Sequence, residues 1–146
     1  MMKTLCRITG ILALALLAIP VVRAQEPVLA NIPFAFTVGN MTLPAGQYRV
    51  EKVRDGSPAL LIQRTDRSAS MMVIAPTVEA NAPQAQTKLV FHRYGNQCYL
   101  SQVWTAGNAR GRELPKSAKE KEQGRLARNE TPDQVTIVAR LFSPKP

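Results

Sequence analysis

A single histidine limits the catalytic chemistry open to this chain, which has one His and two Cys in 146 residues. His92 alternates with Val90 and Tyr94 in an extended run, and Cys98 follows across Gly95-Asn96. A Cys/His nucleophilic pair needs the two side chains within hydrogen-bond reach. A hairpin turning at Gly95-Asn96 places them on opposite faces, which argues against the pair. A Ser/His/Asp triad has no recognisable nucleophile elbow. Two Cys and one His fall short of the four ligands of a structural zinc site. Most of the ten acidic residues stand beside Lys or Arg on outward-facing positions, so no carboxylate pair is set up for acid–base work. Glycines occur singly, which removes a phosphate loop. We expect no catalytic residue, no metal and no cofactor, with His92 an ordinary strand histidine whose ring is partly exposed.

Binding chemistry has two candidate sources. From Arg110 to Arg128 there are seven basic residues (Arg110, Arg112, Lys116, Lys119, Lys121, Arg125 and Arg128) and three acidic ones. Such a segment could meet an anionic polymer, such as envelope phosphate, acidic polysaccharide or extracellular DNA. The competing reading is a solvated, weakly packed helix in which Lys and Glu alternate, for example Lys116 with Glu120 at i,i+4. The stretch has no aromatic residue, and nucleic-acid patches are usually interleaved with aromatics, so no specific nucleic acid is expected. The second source is aromatic. Tyr94 and Tyr99 share a hairpin face with His92, and with Trp104 they are candidates for stacking on a sugar or an apolar ligand. The other reading has the two tyrosines covered, by a second sheet or by the 75–87 crossover.

The elements that must carry these residues read as short strands. Ile32, Phe34, Phe36 and Val38 alternate through one run, with Pro33 marking an edge or a strand start. Gly39-Asn40 and Leu43-Pro44-Ala45-Gly46 are turn chemistry. Tyr48 and Val50 point in while Gln47, Arg49 and Glu51 point out, the pattern of a half-buried antiparallel strand over 47–53. Strands follow at 59–64 and 70–75, with an edge strand around Val78. The strongest local signal is Lys88–Tyr94, Gly95-Asn96, Gln97–Thr105. A two-residue turn pairs Tyr94 with Gln97. Leu89, Phe91, Arg93, Cys98, Leu100, Gln102 and Trp104 then share the core face, and a three-residue loop would swap half of these assignments. Ser117-Ala118-Lys119-Glu120 is a capping box opening a helix to about Arg128. Val135, Ile137, Ala139 and Leu141 alternate in a last strand, and the tail after Phe142 should fray. The expected fold is all-β: a single β-sandwich or open barrel of seven or eight mostly antiparallel strands, with one short helix before the last.

Residues 1–24 read as a cleaved secretory signal, with Lys3 and Arg7 ahead of an apolar run from Ile8 to Ile19 and small residues near Ala24. The run falls short of the ~20 residues of a membrane-spanning helix. Removing this segment takes away three basic residues. The charge goes from 19 against 10, or +9, to 16 against 10, or +6, on residues 25–146. Cys98 is then alone, read as a small buried hydrophobe.

The runs Ile32-Pro33-Phe34 through Val38-Gly39, Leu43-Pro44-Ala45-Gly46 with Tyr48 and Val50, Leu89 through Gly95, and Leu100 through Trp104 resemble those of a family of secreted bacterial β-rich proteins with no established function. Leu114-Pro115 and Ser117 with Glu120 are similar to that family's segment after the tryptophan. The resemblance implies export and a β-rich domain, and brings no catalytic residues. We expect an exported protein, in the periplasm or outside the cell. Its role would be binding or structural and non-enzymatic, with an anionic envelope polymer or another envelope protein as partner and no transmembrane span after cleavage. The alternatives are a carrier with an apolar cavity between the sheets, and an enzyme of unknown type.

Overall fold

The computed structural model describes residues 26–128 and 131–142. The segment read as a signal, Asn129-Glu130 and the tail after Phe142 lie outside them. Among the described residues are twelve strands and one helix, arranged as two facing sheets with no closed barrel. One sheet has the order β12(Arg140–Leu141), β1(Val28–Ile32), β4(Gly46–Lys52), β5(Ala59–Arg64), β6(Ser70–Ile74). The other runs β11(Asp133–Val138), β8(Lys88–Tyr94), β9(Gln97–Trp104), β10(Arg110–Glu113), β7(Thr77–Glu79). The hairpin of β2(Phe36–Val38) and β3(Met41–Leu43) joins this sheet where β2 lies parallel to β9 at Tyr99. The fold is an all-β sandwich.

Strands outnumber the expected seven or eight because two alternating runs are cut and shared between the sheets. In the first, Ile32 ends β1 in the five-stranded sheet and Phe36 begins β2 in the other. Pro33 has no N–H to give a ladder, so the chain leaves one sheet there and enters the next. Both sheets face the same core, so the alternation passes unbroken through the crossing: Ile32, Phe36 and Val38 are buried and Phe34 packs against them. The last run is cut at Ala139, whose N–H donates to the Thr87 carbonyl at 2.8 Å, with β11 before it and β12 after it in different sheets. Strands that change sheets in this way form the corners of a sandwich. The other two additions are β3, formed between the two expected turns at 39–40 and 43–46, and β10, formed inside the basic segment.

The core is aromatic at its centre. Phe36 stands edge-on to Tyr48 and to Phe91 at centroid distances of 5.0 and 5.5 Å, and Phe34 to Phe91 at 5.1 Å. The Tyr48 hydroxyl satisfies itself within the turn by donating to the Pro44 carbonyl at 2.6 Å. Burying each such side chain stabilises the fold by about 1.5–3 kcal/mol, and each edge-on pair adds about 0.5–1.5 kcal/mol.

The register Tyr94–Gln97 is as expected, and Leu89, Phe91, Cys98 and Leu100 point into the core. Further along, the expectation fails. Phe91 pairs with Leu100 but Val90 pairs with Gln102, which leaves Ser101 as an extra residue in β9. This bulge reverses the two faces beyond it. Val103 enters the core, and Trp104, expected inside, is placed on the outer face. It is still buried there, because the indole lies across Gly111 of β10, where an added Cβ would come within 2.5 Å of the ring.

Candidate binding surface on the helix side

Helix α1(Ala118–Leu126) roofs the outer face of the β8–β9 hairpin. Ser117 caps it, its hydroxyl accepting from the Glu120 N–H at 3.1 Å. The Glu120 side chain turns into the protein instead of completing the box. Its Oε1 lies 3.0 Å from His92 Nδ1, and His92 Nε2 lies 3.2 Å from Ser101 Oγ. Ser101 is the extra residue of the bulge and lies on the His92 side of the hairpin. Ser101 and Glu120 are 5% and 4% exposed.

A Ser–His–Glu chain has the connectivity of an acyl-transfer triad. Here it works as a clasp. Both ring nitrogens of His92 are engaged, Ser101 is closed off from solvent, and neither residue is among the walls of the adjacent cleft. The clasp ties the first turn of the helix to the middle of the hairpin, and the amino end of the helix favours an acidic group at that position. His92 is thus partly exposed, as expected. The pairing of Lys116 with Glu120 is not made, because Glu120 points inward and Lys116 precedes the helix.

The candidate aromatic residues are separated. Tyr94 and Tyr99 meet edge-on at 5.8 Å, and Gly124 of the helix passes close over Tyr94. Both are buried, Tyr94 beneath the helix and Tyr99 where β2 joins β9. Burial, and after it the nearby Glu120 carboxyl, pushes both phenol hydroxyls above the ordinary value. Trp104 stands apart near β10, its Nε1–H donating to Gln102 Oε1 at 2.9 Å.

The basic segment is divided as well. Arg110 pairs with Glu79 of β7 at 2.9 Å. Arg112 points inward at the end of the sandwich and donates to the carbonyls of Ala75 and Ser57, at 3.3 and 3.4 Å, bridging the sheets. Arg125 pairs with Glu122 at 2.6 Å. Arg128 follows the helix in the left-handed region, and Lys119 is exposed on the helix. Lys116, Lys121 and Arg125 come together with Tyr94 and Glu120 around an open cleft of about 520 Å³, closed on its far side by Thr131 and Pro132. This is where the basic and aromatic candidates converge.

Comparison with protein-family models, with curated proteins and with solved structures returns no match. The chemistry of the chain rests on its own geometry.

A second cleft, of about 300 Å³, enters between the sheets at the end where Arg112 bridges them. Val28, Leu60 and Val103 form its apolar floor, and Lys52, Arg110 and Arg112 stand at its rim. Burial, helped by the nearby Arg112 charge, lowers the Lys52 ammonium below its usual value. None of Tyr94, Tyr99 and Trp104 lines it, and the centre of the core beyond it is filled by the aromatic cluster. Among the described residues no group of His, Cys, Asp and Glu is placed to hold a metal, and no helix is long and apolar enough to cross a membrane.

The residues that sequence reasoning missed are Ser101 and Glu120. Glu120 carries a signal only in hindsight, as the acidic residue of a capping box whose partner is taken by the backbone.

Proposed function

We propose that this chain is an exported, non-enzymatic β-sandwich that binds an acidic polysaccharide or similar anionic polymer of the cell envelope through the cleft of Tyr94, Lys116, Lys121 and Arg125. The observation that carries this reading is the inward turn of Glu120. It removes a carboxylate from the helix surface, and among the described residues Lys116, Lys119 and Lys121 make no ion pair. Two ammonium groups without a carboxylate partner beside a tyrosine edge, with Lys119 exposed on the same helix, suit a chain of anionic sugars better than a neutral ligand. Export is supported by the charge and apolar pattern of residues 1–24.

The polymer reading is tested with heparin as a generic acidic polysaccharide. Retention should fall steeply with salt, and the combined change of Lys116, Lys119, Lys121 and Arg125 to Gln should abolish it. Binding that ignores salt, or that survives the four substitutions, overturns the proposal. For export, the protein recovered outside the cytoplasm should begin at Gln25, and retention of the intact chain inside the cell would refute it.

A further inference from the structure

The outer face of the five-stranded sheet carries a group of arginines drawn from four separate elements. Register places Arg140, Leu29, Arg49, Gln63 and Ser70 in one row across β12, β1, β4, β5 and β6. Arg140 and Arg49 therefore flank Leu29, two strands apart. Arg64, at the end of β5, and Arg67, in the turn that follows, complete the walls of a cleft of about 370 Å³.

Three features mark this cleft, and two of them belong to the 64–68 turn, where the Arg67 N–H donates to the Arg64 carbonyl at 2.9 Å. The Nε–H of Arg49 is buried and without a hydrogen-bond partner, although Nη2 reaches Glu51 at 3.3 Å and the guanidinium lies 5.6 Å from the Phe142 ring centroid. A buried donor left unmade is costly and rare. Arg67 is held at φ 64°, a left-handed conformation unfavourable for any residue with a Cβ, where glycine would fit without strain. Asp66, the carboxylate beside Arg64 and Arg67, spends its Oδ1 on its own turn, accepting from the Ser68 N–H at 2.9 Å and the Ser68 hydroxyl at 2.6 Å. Its other oxygen is only loosely paired, 3.7 Å from Arg64 Nε.

Four guanidiniums against Glu51 and Asp66 leave two positive charges, and among the described residues the walls of the cleft contain no carboxylate. A carboxylate ligand has two oxygens and one charge, too few for this set. A phosphomonoester brings three terminal oxygens and a charge of about −1.5 to −2, and arginine forks match it in geometry. We propose that this face is a second binding site, specific for a phosphomonoester-type dianion, on the opposite side of the sandwich from the helix and independent of the cleft there.

The test uses two probes at constant ionic strength: inorganic phosphate by calorimetry, and phosphatidylcholine vesicles with or without phosphatidic acid by co-sedimentation. Saturable binding is expected, weakened roughly tenfold by Arg140→Gln and by Arg67→Gly, each removing one charge-assisted contact. Arg67→Gly should melt no lower than the parent, which separates lost binding from lost fold, and Arg93→Gln, on the other sheet and outside both clefts, should leave binding unchanged. Preference for phosphatidic acid vesicles over phosphate would name a lipid headgroup as the source, and equal response would name the free ion or a soluble ester. Absence of saturable binding to both probes, or binding that Arg67→Gly and Arg140→Gln leave unchanged, overturns the proposal.

Discussion

The two outer faces of this sandwich solve the same problem in opposite ways. Each sheet buries one side against the aromatic core and must do something with the other. On the seven-stranded sheet the other side is roofed: α1 passes over Tyr94, and Trp104 folds down onto Gly111. Polar groups caught under the roof are satisfied there, as in the chain from Ser101 through His92 to Glu120. On the five-stranded sheet the other side stays open, and charged side chains lie along the strands, as Arg49 does with Glu51. Position relative to the roof, and not residue type, decides whether a charged side chain holds the fold together or stays available to a ligand.

That contrast can be broken first at Glu120. Glu120→Ala leaves His92 without a partner at Nδ1 and releases the first turn of α1. Unfolding by urea should show a loss of about 2–3 kcal/mol, the cost of an unmade buried hydrogen bond together with lost packing. A loss no larger than that of a surface substitution would mean the roof is decorative. Next comes Gly111→Ala, which drives a methyl group into the Trp104 ring. About 1–3 kcal/mol should be lost, with a red shift in emission from the single tryptophan. A blue-shifted or unchanged emission would show that the indole is not seated there.

A third measurement uses all three tyrosines of the chain. Burial is the largest cause holding Tyr48, Tyr94 and Tyr99 above the ordinary value of 10.0. A phenol with a raised value in the folded state keeps its proton longer folded than unfolded. The stability this represents is full below pH 10 and is lost as pH rises through the folded values. Alkaline titration by phenolate absorbance should show no tyrosine ionising at its normal pH while the fold stands, and normal titration of even one would contradict its burial. The smallest effect belongs to the open face. Arg140→Ala should change unfolding free energy by no more than about 0.5 kcal/mol. A larger loss would show that this arginine has a structural duty.

Much of the sandwich was legible in advance. The alternation of Tyr48 and Val50, the turn at Gly95-Asn96 with its register, the cap at Ser117 and the buried Cys98 are local facts, written within a few neighbouring residues. Alternation records which side of a strand faces the core, not which sheet the strand joins, so the crossings at Pro33 and Ala139 were invisible in it. The bulge at Ser101 carries no residue marker, yet one extra residue was enough to send Trp104 outward. Charge patterning assigns acids to solvent by default, which hid Glu120. The arginines of the open face come from β4, β5, the turn after β5 and β12, and only strand pairing brings them together.

The pairing of β1 with β12 sets an order on how the protein can form. Val28 stands opposite Leu141, and Leu29 opposite Arg140, so the five-stranded sheet is complete only once β12 has reached the distant β1. Such long-range closure slows folding, because the entropy of bringing distant segments together is spent before contacts return it. Until then β1 offers a bare strand edge to whatever is nearby. Whatever shields this edge before β12 arrives would therefore favour native pairing over association between chains.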